Sequence, residues 1–282
     1  MSDKRLLDNL EKIGVRHFSY SSGSSHLARF IFNYVHRSVE DRRNDVIGEA
    51  GAIGTAVHTA VQENIAHGID IDDAIKAAVI YFDEHPACED LVKRERFREV
   101  ISPMSTNLVE ILHQSGFTTC EDEHKFSIEL PDIALPVIGF VDLVGDGIFT
   151  EIKTKCPVKT RKLKDGSQGW GKGRIPASEP EHAHVMQAAL YQYAMGLTPS
   201  ICYTAEHEAK IFTPFNCVSL QQANLDRSLE EFRQKLLMKQ NLIRLSPDAK
   251  KLAGIVDPDW SHNYIWKIDD ELRKEAKDLW QL

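Results

Sequence analysis

Residues 139–155, GFVDLVGDGIFTEIKTK, constrain the fold more than any other stretch of the chain. Two β-type runs, GFVDLV and IFTEIKTK, flank Gly145-Asp146-Gly147, and an Asp-Gly pair is a strong signal for a tight two-residue hairpin turn. With Asp146 and Gly147 as the turn, Gly145 faces Ile148, Val144 faces Phe149, Leu143 faces Thr150 and Asp142 faces Glu151. Like charges opposed on neighbouring strands destabilise a hairpin unless something compensates, and a divalent cation is the usual compensator. Lys153 emerges on the same face as Glu151 by the period-two rule. The hairpin therefore predicts two carboxylates and an ammonium clustered among residues otherwise suited to a buried sheet.

The chain of 282 residues, 42% hydrophobic, can bury a full core, and one elaborated domain over residues 1–282 is expected. No repeat stands out, no apolar run approaches the roughly 18 residues of a membrane span, and the first residues lack a signal-peptide apolar core, so a soluble cytoplasmic protein with no membrane contact is expected. Cys88, Cys120, Cys156, Cys202 and Cys217 include no CxxC pair and are odd in number. Neither a zinc knuckle nor a disulfide framework is supported, and they read as isolated thiols. A net charge of −8 argues against indiscriminate polyanion binding, so any nucleic-acid contact falls to a local basic region.

Along the chain, SYSSGSSHLARFIFNYVHR opens with a serine and glycine cluster that can cap a helix bearing Leu27, Phe30, Ile31 and Tyr34, either as a plain core helix or as one whose start contacts phosphate. A second helix runs through AGAIGTAVHTAVQENIAHG, with Ile53, Val57, Ala60, Val61 and Ile65 as its apolar stripe, Gly54 and His58 one turn apart, and His67-Gly68 at its end. Residues 71–117 read as mostly helical, the charged stretch EDLVKRERFREV being a solvated face. TTCEDEHKFSIEL, LPVIGFVDLV and GIFTEIKTK form a three-stranded meander. From Lys153 to Arg174 there are eight Lys or Arg against one acid, Asp165, in a long Gly- and Pro-rich loop. EPEHAHVMQAALYQYAMG is a helix with Met186, Ala189, Leu190 and Tyr193 on its apolar side, ICYTAEHEAKIFTPF supplies two more strands, and the chain from 219 to 282 is helical again.

Neighbouring carboxylates on a strand pair are hard oxygen ligands that suit Mg²⁺ or Mn²⁺. A metal there lowers the pKa of bound water and acts as a Lewis acid on a phosphoryl oxygen, and Lys153 on the same face can position water or balance developing charge. The competing reading is a solvent-facing hairpin with an ordinary Glu-Lys pair. His58 alone reads more readily as a packed helical histidine than as a ligand. His184, Gln187 and Tyr191 share a helix face distinct from the apolar one.

In combination, GFVDLV followed by EIKTK, with GTAVH upstream and QAALY of QxxxY form downstream, resembles the PD-(D/E)XK nuclease superfamily, in the branch of RecB-type nuclease domains and phage exonucleases related to lambda exonuclease. The resemblance covers residues 20 to 215, with 219–282 as a helical extension. It implies an α/β fold with a restriction-endonuclease-like core: a central mixed β-sheet flanked by helices, with extra N- and C-terminal helices. It makes Asp142 and Glu151 metal ligands, adds the backbone carbonyl of Ile152, His58 as a further ligand and Glu123 with Glu121 as its competitor, and makes Lys153 the catalytic lysine. Gln187 and Tyr191 would organise the site and hold the DNA end. Val141 replaces the proline that names the motif, a change the fold tolerates. Relatives carrying an iron-sulfur cluster need four placed cysteines, so none is expected here.

The implied activity is Mg²⁺- or Mn²⁺-dependent hydrolysis of DNA from an end to give 5′-phosphate products, in phage-type recombination, repair or DNA processing. Lys155, Arg161, Lys172 and Arg174 of the basic loop, with Trp170, would follow the phosphate backbone or stack on an end base. The partner is duplex DNA with a free end; homo-oligomerisation and a single-strand annealing or recombination partner stay open. The alternatives are a structure-specific or nicking endonuclease of the same fold and a non-catalytic nucleic-acid-binding module.

Overall fold

In the computed structural model, which describes residues 3–43, 48–85, 90–117, 121–261, 266 and 270–281, Gly147 adopts φ +72°, the left-handed conformation that the hairpin turn requires. Leu143 pairs with Thr150 and Val144 with Phe149, the register expected from an Asp-Gly turn, and the Gly145 N–H donates to the Ile148 carbonyl at 2.8 Å. Asp142 and Glu151 are the next residue along each strand.

In chain order, α1 (Lys4–Lys12), α2 (Tyr20–Ser24) and α3 (Leu27–Phe30) lead through a π-helix (Ile31–His36) to α4 (Val39–Arg43), α5 (Glu49–Ile65), α6 (Ile71–Glu84) and α7 (Leu91–Gln114). Then come β1 (Glu121–Ile128), β2 (Val137–Val144), β3 (Ile148–Thr154), β4 (Val158–Lys159), β5 (Trp170–Gly171), α8 (His182–Met195), β6 (Thr198–Ala205) and β7 (Glu208–Phe212). Helices α9 (Gln222–Leu245), α10 (Ala249–Ala253) and α11 (Asp270–Leu279) follow. The main sheet has the order β1-β2-β3-β6-β7. Strand β3 is antiparallel to β2 but parallel to β6, from Ile148↔Thr198 to Thr154↔Thr204, and β6 is antiparallel to β7. This is the α/β architecture with a central mixed sheet and helices at both ends of the chain. A parallel pair needs a long crossover, and here it carries both the β4–β5 ribbon and α8.

The chain divides into two compact units, residues 46–125 with 140–228, and residues 1–45, 126–139 and 229–282. In the first, the α5 stripe of Ile53, Val57, Ala60, Val61 and Ile65 is buried among residues of α6, α7, β3 and β6. The charged start of α7 is more than a solvated face. Arg94 donates to the carbonyls of Phe82 at 2.6 Å, Asp83 at 3.2 Å and His85 at 2.8 Å, capping the end of α6. Tyr193, expected on the apolar side of α8, is 48% exposed, whereas Tyr191 is buried. Cys88 and Cys120, two of the expected thiols, and Thr118 and Thr119 of the expected first strand lie outside the described residues. Among the described residues no helix is long and apolar enough to cross a membrane.

The expected long basic loop is a folded ribbon. Val158 pairs with Gly171 and Lys159 with Trp170, and the Thr160 N–H donates to Gly169 at 2.9 Å. Glycine is required by space at Gly173, where a Cβ would lie 1.8 Å from the Lys155 carbonyl oxygen. Trp170 packs against the main core with Lys159 over its ring, so it anchors the ribbon and does not stand free.

In the second unit, Ser19 and Ser22 cap each other's backbone N–H groups at the start of α2. The serine and glycine cluster expected as a cap is itself the short helix α2, and the expected helix bearing Leu27, Phe30, Ile31 and Tyr34 starts at Leu27 as α3 and continues as the π-helix. Phe32, Trp260, Trp266 and Trp280 form an aromatic cluster in which Trp260 and Trp266 stack at 4.4 Å. Lys239 is buried, donates to the Gly23 carbonyl and lies over the Phe30 ring at 5.6 Å. Burial lowers its pKa to about 7. The folded state therefore resists charging Lys239, and stability falls as pH drops from the ordinary lysine range toward 7. Lys239→Met is expected to flatten that slope, so the melting-temperature difference between variant and wild type, followed from pH 10 to pH 6, should move steadily in the variant's favour.

Candidate active site

On β3 the odd positions Phe149, Glu151 and Lys153 share one face, and α8 covers it. Tyr191 lies 6.3 Å from the Phe149 ring, while Gln187, one turn earlier on α8, reaches both charged residues. The opposite face sends the Ile152 side chain into the core of α5 and α7. A single strand thus presents a buried acid and a lysine to one helix while anchoring itself through the other face.

The hydrogen bonds interlock. The Lys153 ammonium donates to Glu151 Oε1 at 2.6 Å and to Gln187 Oε1 at 3.1 Å. Gln187 Nε2 donates to the same Glu151 oxygen at 2.6 Å and to the Tyr191 hydroxyl at 2.9 Å. Across the hairpin, the Ile152 N–H donates to Asp142 Oδ2 at 2.7 Å, and His58 Nδ1 lies 3.4 Å from Asp142 Oδ1. Gln62, one turn beyond His58 on α5, donates to the Asp142 carbonyl at 3.1 Å. His58 and Asp142 keep 25% and 19% of their side-chain surface open, so solvent and small ions reach the cluster.

Glu151 is 4% exposed, and its Oε2 is buried with no hydrogen-bond partner. Burial and the Asp142 charge push its pKa up to about 7 against the opposing pull of Lys153 and His58. Asp142 moves the other way: burial alone would raise its pKa, but His58, Lys153 and the Ile152 N–H together hold it low. For His58, burial favours the neutral ring and Asp142 outweighs it, leaving the pKa raised. Two carboxylates in one environment are thus driven apart in acidity.

Among the described residues no three His, Cys, Asp or Glu side chains converge as a ready-made cation cage. The donor set nonetheless fits a hard cation held by one or two carboxylates, with water and substrate oxygens completing the shell, as Mg²⁺ sites commonly are. The orphaned Glu151 Oε2 is the observation that tests this fit: a buried carboxylate oxygen without a donor is costly unless something positive meets it. Glu123 does not join the cluster; it is exposed on β1 at φ +43°, and Glu121 pairs with His124. Ile152 contributes its N–H to Asp142. Lys155 is ion-paired with Glu181, whereas Arg161, Lys172 and Arg174 are exposed on and beside the ribbon and make no ion pair among the described residues.

Sequence reasoning missed Tyr203, whose position in β6 opposite Lys153 puts it on the same sheet face. His184 Nδ1 lies 2.6 Å from the Tyr203 hydroxyl, which also accepts the Glu181 N–H at 3.0 Å. The spacing of His184 three residues before Gln187 was the available signal, but nothing in the sequence pairs it with a strand tyrosine.

No protein-family model matches the sequence, and no curated protein does either. Among solved structures, the fold is similar to a Eubacterium rectale protein described as "Putative exonuclease", with a TM-score of 0.46, 13% identity, and coverage of 96% of this chain and 90% of the other. A second, SSO0001, gives a TM-score of 0.29 at 14% identity over 74% of this chain and 86% of the other. Likenesses this distant assign no activity.

Proposed function

We propose that this chain is a metal-dependent deoxyribonuclease of the PD-(D/E)XK type that hydrolyses phosphodiester bonds from a DNA end and leaves 5′-phosphates. The observation that carries the reading is the hairpin cluster itself: a buried Glu151 with an orphaned oxygen, bonded to Lys153 and Gln187, beside Asp142 held by the Ile152 N–H. The same residues carry the sequence resemblance. Asp142 and Glu151, with His58 at the edge, would hold Mg²⁺ or Mn²⁺, which when bound polarises a phosphoryl oxygen and acidifies a coordinated water.

The chain's own groups have separable tasks in this reading. Lys153 keeps Glu151 ionised enough to bind a cation and offers its ammonium to charge developing on the phosphoryl group. Gln187 fixes both partners, and Tyr191, set against the Phe149 ring, accepts from Gln187 Nε2 and so fixes Gln187. The exposed cations of the ribbon supply backbone contacts without sequence preference.

The direct test is digestion of 5′-end-labelled linear duplex and covalently closed circular DNA, with Mg²⁺ or EDTA, by wild type and Asp142→Ala. Metal-dependent loss of the linear substrate alone, abolished in the variant, supports the reading. Cutting of the circle would replace it with an endonuclease, and no cutting with either Mg²⁺ or Mn²⁺ would leave a binding module. For the ribbon, Lys172→Ala with Arg174→Ala is expected to weaken binding of duplexes of unrelated sequence equally. The slope of log affinity against log salt should also become shallower by about 1 for each phosphate that the variant no longer neutralises.

A further inference from the structure

The row of polar residues continues past Lys153 into a group that the cleavage cluster does not use. Tyr203 stands opposite Lys153 in the parallel β3–β6 pair, and Lys155, the first residue past the end of β3, lies over the Tyr203 ring at 5.3 Å. On α8, His184 sits one turn before Gln187 and meets Tyr203, as Gln187 meets Lys153. One turn earlier, the helix therefore makes a second contact of this kind, to the neighbouring strand β6.

The hydrogen-bond pattern fixes the histidine. The Tyr203 oxygen already accepts the Glu181 N–H, so the arrangement that satisfies every group has the Tyr203 O–H donating to His184 Nδ1. The proton of neutral His184 then sits on Nε2. Burial, with Lys153 and Lys155 nearby, lowers the His184 pKa to about 4, so the ring is neutral across the physiological range. Burial likewise keeps the Tyr203 phenol protonated.

One anion occupies the mouth of this group: the Glu181 carboxylate, 49% exposed, whose Oε1 is ion-paired to Lys155 and whose Oε2 lies 3.9 Å from His184 Nε2. Each oxygen thus faces a nitrogen donor, the pattern that a phosphodiester presents with its two non-bridging oxygens. Lys155 lies two residues beyond Lys153, about 6–7 Å by strand rise, the scale on which successive phosphates of one strand follow one another.

We infer that Lys155 and His184 form a subsite for the phosphate next to the scissile one, with Tyr203 positioning His184, and that the Glu181 carboxylate holds this subsite until DNA displaces it. The inference rests on the nuclease reading and assigns the neighbouring nucleotide to a specific place. DNA entry exchanges one anion for another: Glu181 swings into solvent, Lys155 keeps a counter-charge, and His184 Nε2–H gains a phosphate oxygen.

The test is steady-state cleavage by wild type, Glu181→Gln, Lys155→Ala, His184→Gln and Tyr203→Phe, using a duplex with a phosphodiester or a neutral methylphosphonate beside the scissile bond. Removing the competing carboxylate should lower KM several-fold, whereas Lys155→Ala and His184→Gln should each raise it about 10-fold. Tyr203→Phe should shift KM in the same direction as His184→Gln. The methylphosphonate should impair cleavage by wild type and lose that effect in Lys155→Ala and His184→Gln, which a merely structural role of these residues would not produce. If wild type cleaves DNA but Glu181→Gln leaves KM unchanged, or the methylphosphonate penalty persists in both variants, the subsite is overturned alone. Absence of wild-type cleavage removes the nuclease reading and the subsite with it.

Discussion

Lys153→Ala is expected to slow duplex hydrolysis by ~10²–10⁴-fold while leaving DNA affinity in Ca²⁺ close to wild type. The ammonium donates to Glu151 Oε1 at 2.6 Å and to Gln187 at 3.1 Å, and it is the countercharge that opposes the pull of burial and Asp142 on Glu151. Without it, the Glu151 pKa, already about 7, rises further. The metal-free variant then carries a protonated Glu151 at neutral pH, which carbon NMR of the glutamate carboxyl would detect as an upward move of its titration midpoint. Lys153→Arg retains the charge and should leave the midpoint near wild type, even where altered geometry slows cleavage. A full rate loss in Lys153→Ala with no movement of the Glu151 midpoint would mean that the lysine acts on substrate alone. An unchanged rate would remove it from the mechanism.

Why the hairpin was legible while its surroundings were not follows from the range of the interactions. Asp146-Gly147 sets a turn, the turn sets the register, and register places Glu151 and Lys153 on one face, so each step is local and survives in sequence. The α5 stripe and its stop at Gly68, φ +69°, are legible for the same reason. Contacts between distant segments were not. Glycines in the basic stretch signalled a loop, but Gly173 answers to the close approach of the Lys155 carbonyl, which exists only once the ribbon folds back. Tyr193 fits the helical period of α8 yet is exposed, because this helix is covered on most of its circumference and periodicity cannot say which edge is left out. The serine and glycine cluster, expected only to cap the helix bearing Leu27 and Phe30, forms a short helix of its own, because Ser19 and Ser22 satisfy backbone N–H groups at its start and Ser25 Oγ donates to the Ser22 carbonyl at its end. The site shows the same division: Gln187 and Tyr191 were paired by spacing, whereas His184 and Tyr203 meet only through the β3–β6 pairing.

Glu151→Gln is expected to separate stability from activity. In the metal-free protein the Glu151 pKa is raised from 4.5 to about 7, chiefly by burial and then by the Asp142 charge. A raised carboxyl pKa means that the folded state holds a proton the unfolded chain has released, so this residue's contribution is fullest below pH 4.5 and is lost as pH rises through 7. At pH 8 wild type therefore bears the cost of a buried charge, roughly 1–3 kcal/mol after allowance for relaxation and for the Lys153 contact. Glutamine keeps the shape and removes the charge. The variant should melt above wild type at pH 8, with the gap closing toward pH 5, and should lose cleavage by about 10²-fold or more. Adding Mg²⁺ should raise the wild-type melting temperature in proportion to the logarithm of its concentration above Kd and leave the variant nearly unmoved. A variant less stable than wild type at pH 8 would show that the ionised Glu151 is a structural ion-pair partner of Lys153. Equal stabilisation of both proteins by Mg²⁺ would place the cation elsewhere. The proposed outcome instead describes a fold that holds a carboxylate at a cost to its own stability because a cation, when present, reverses the sign.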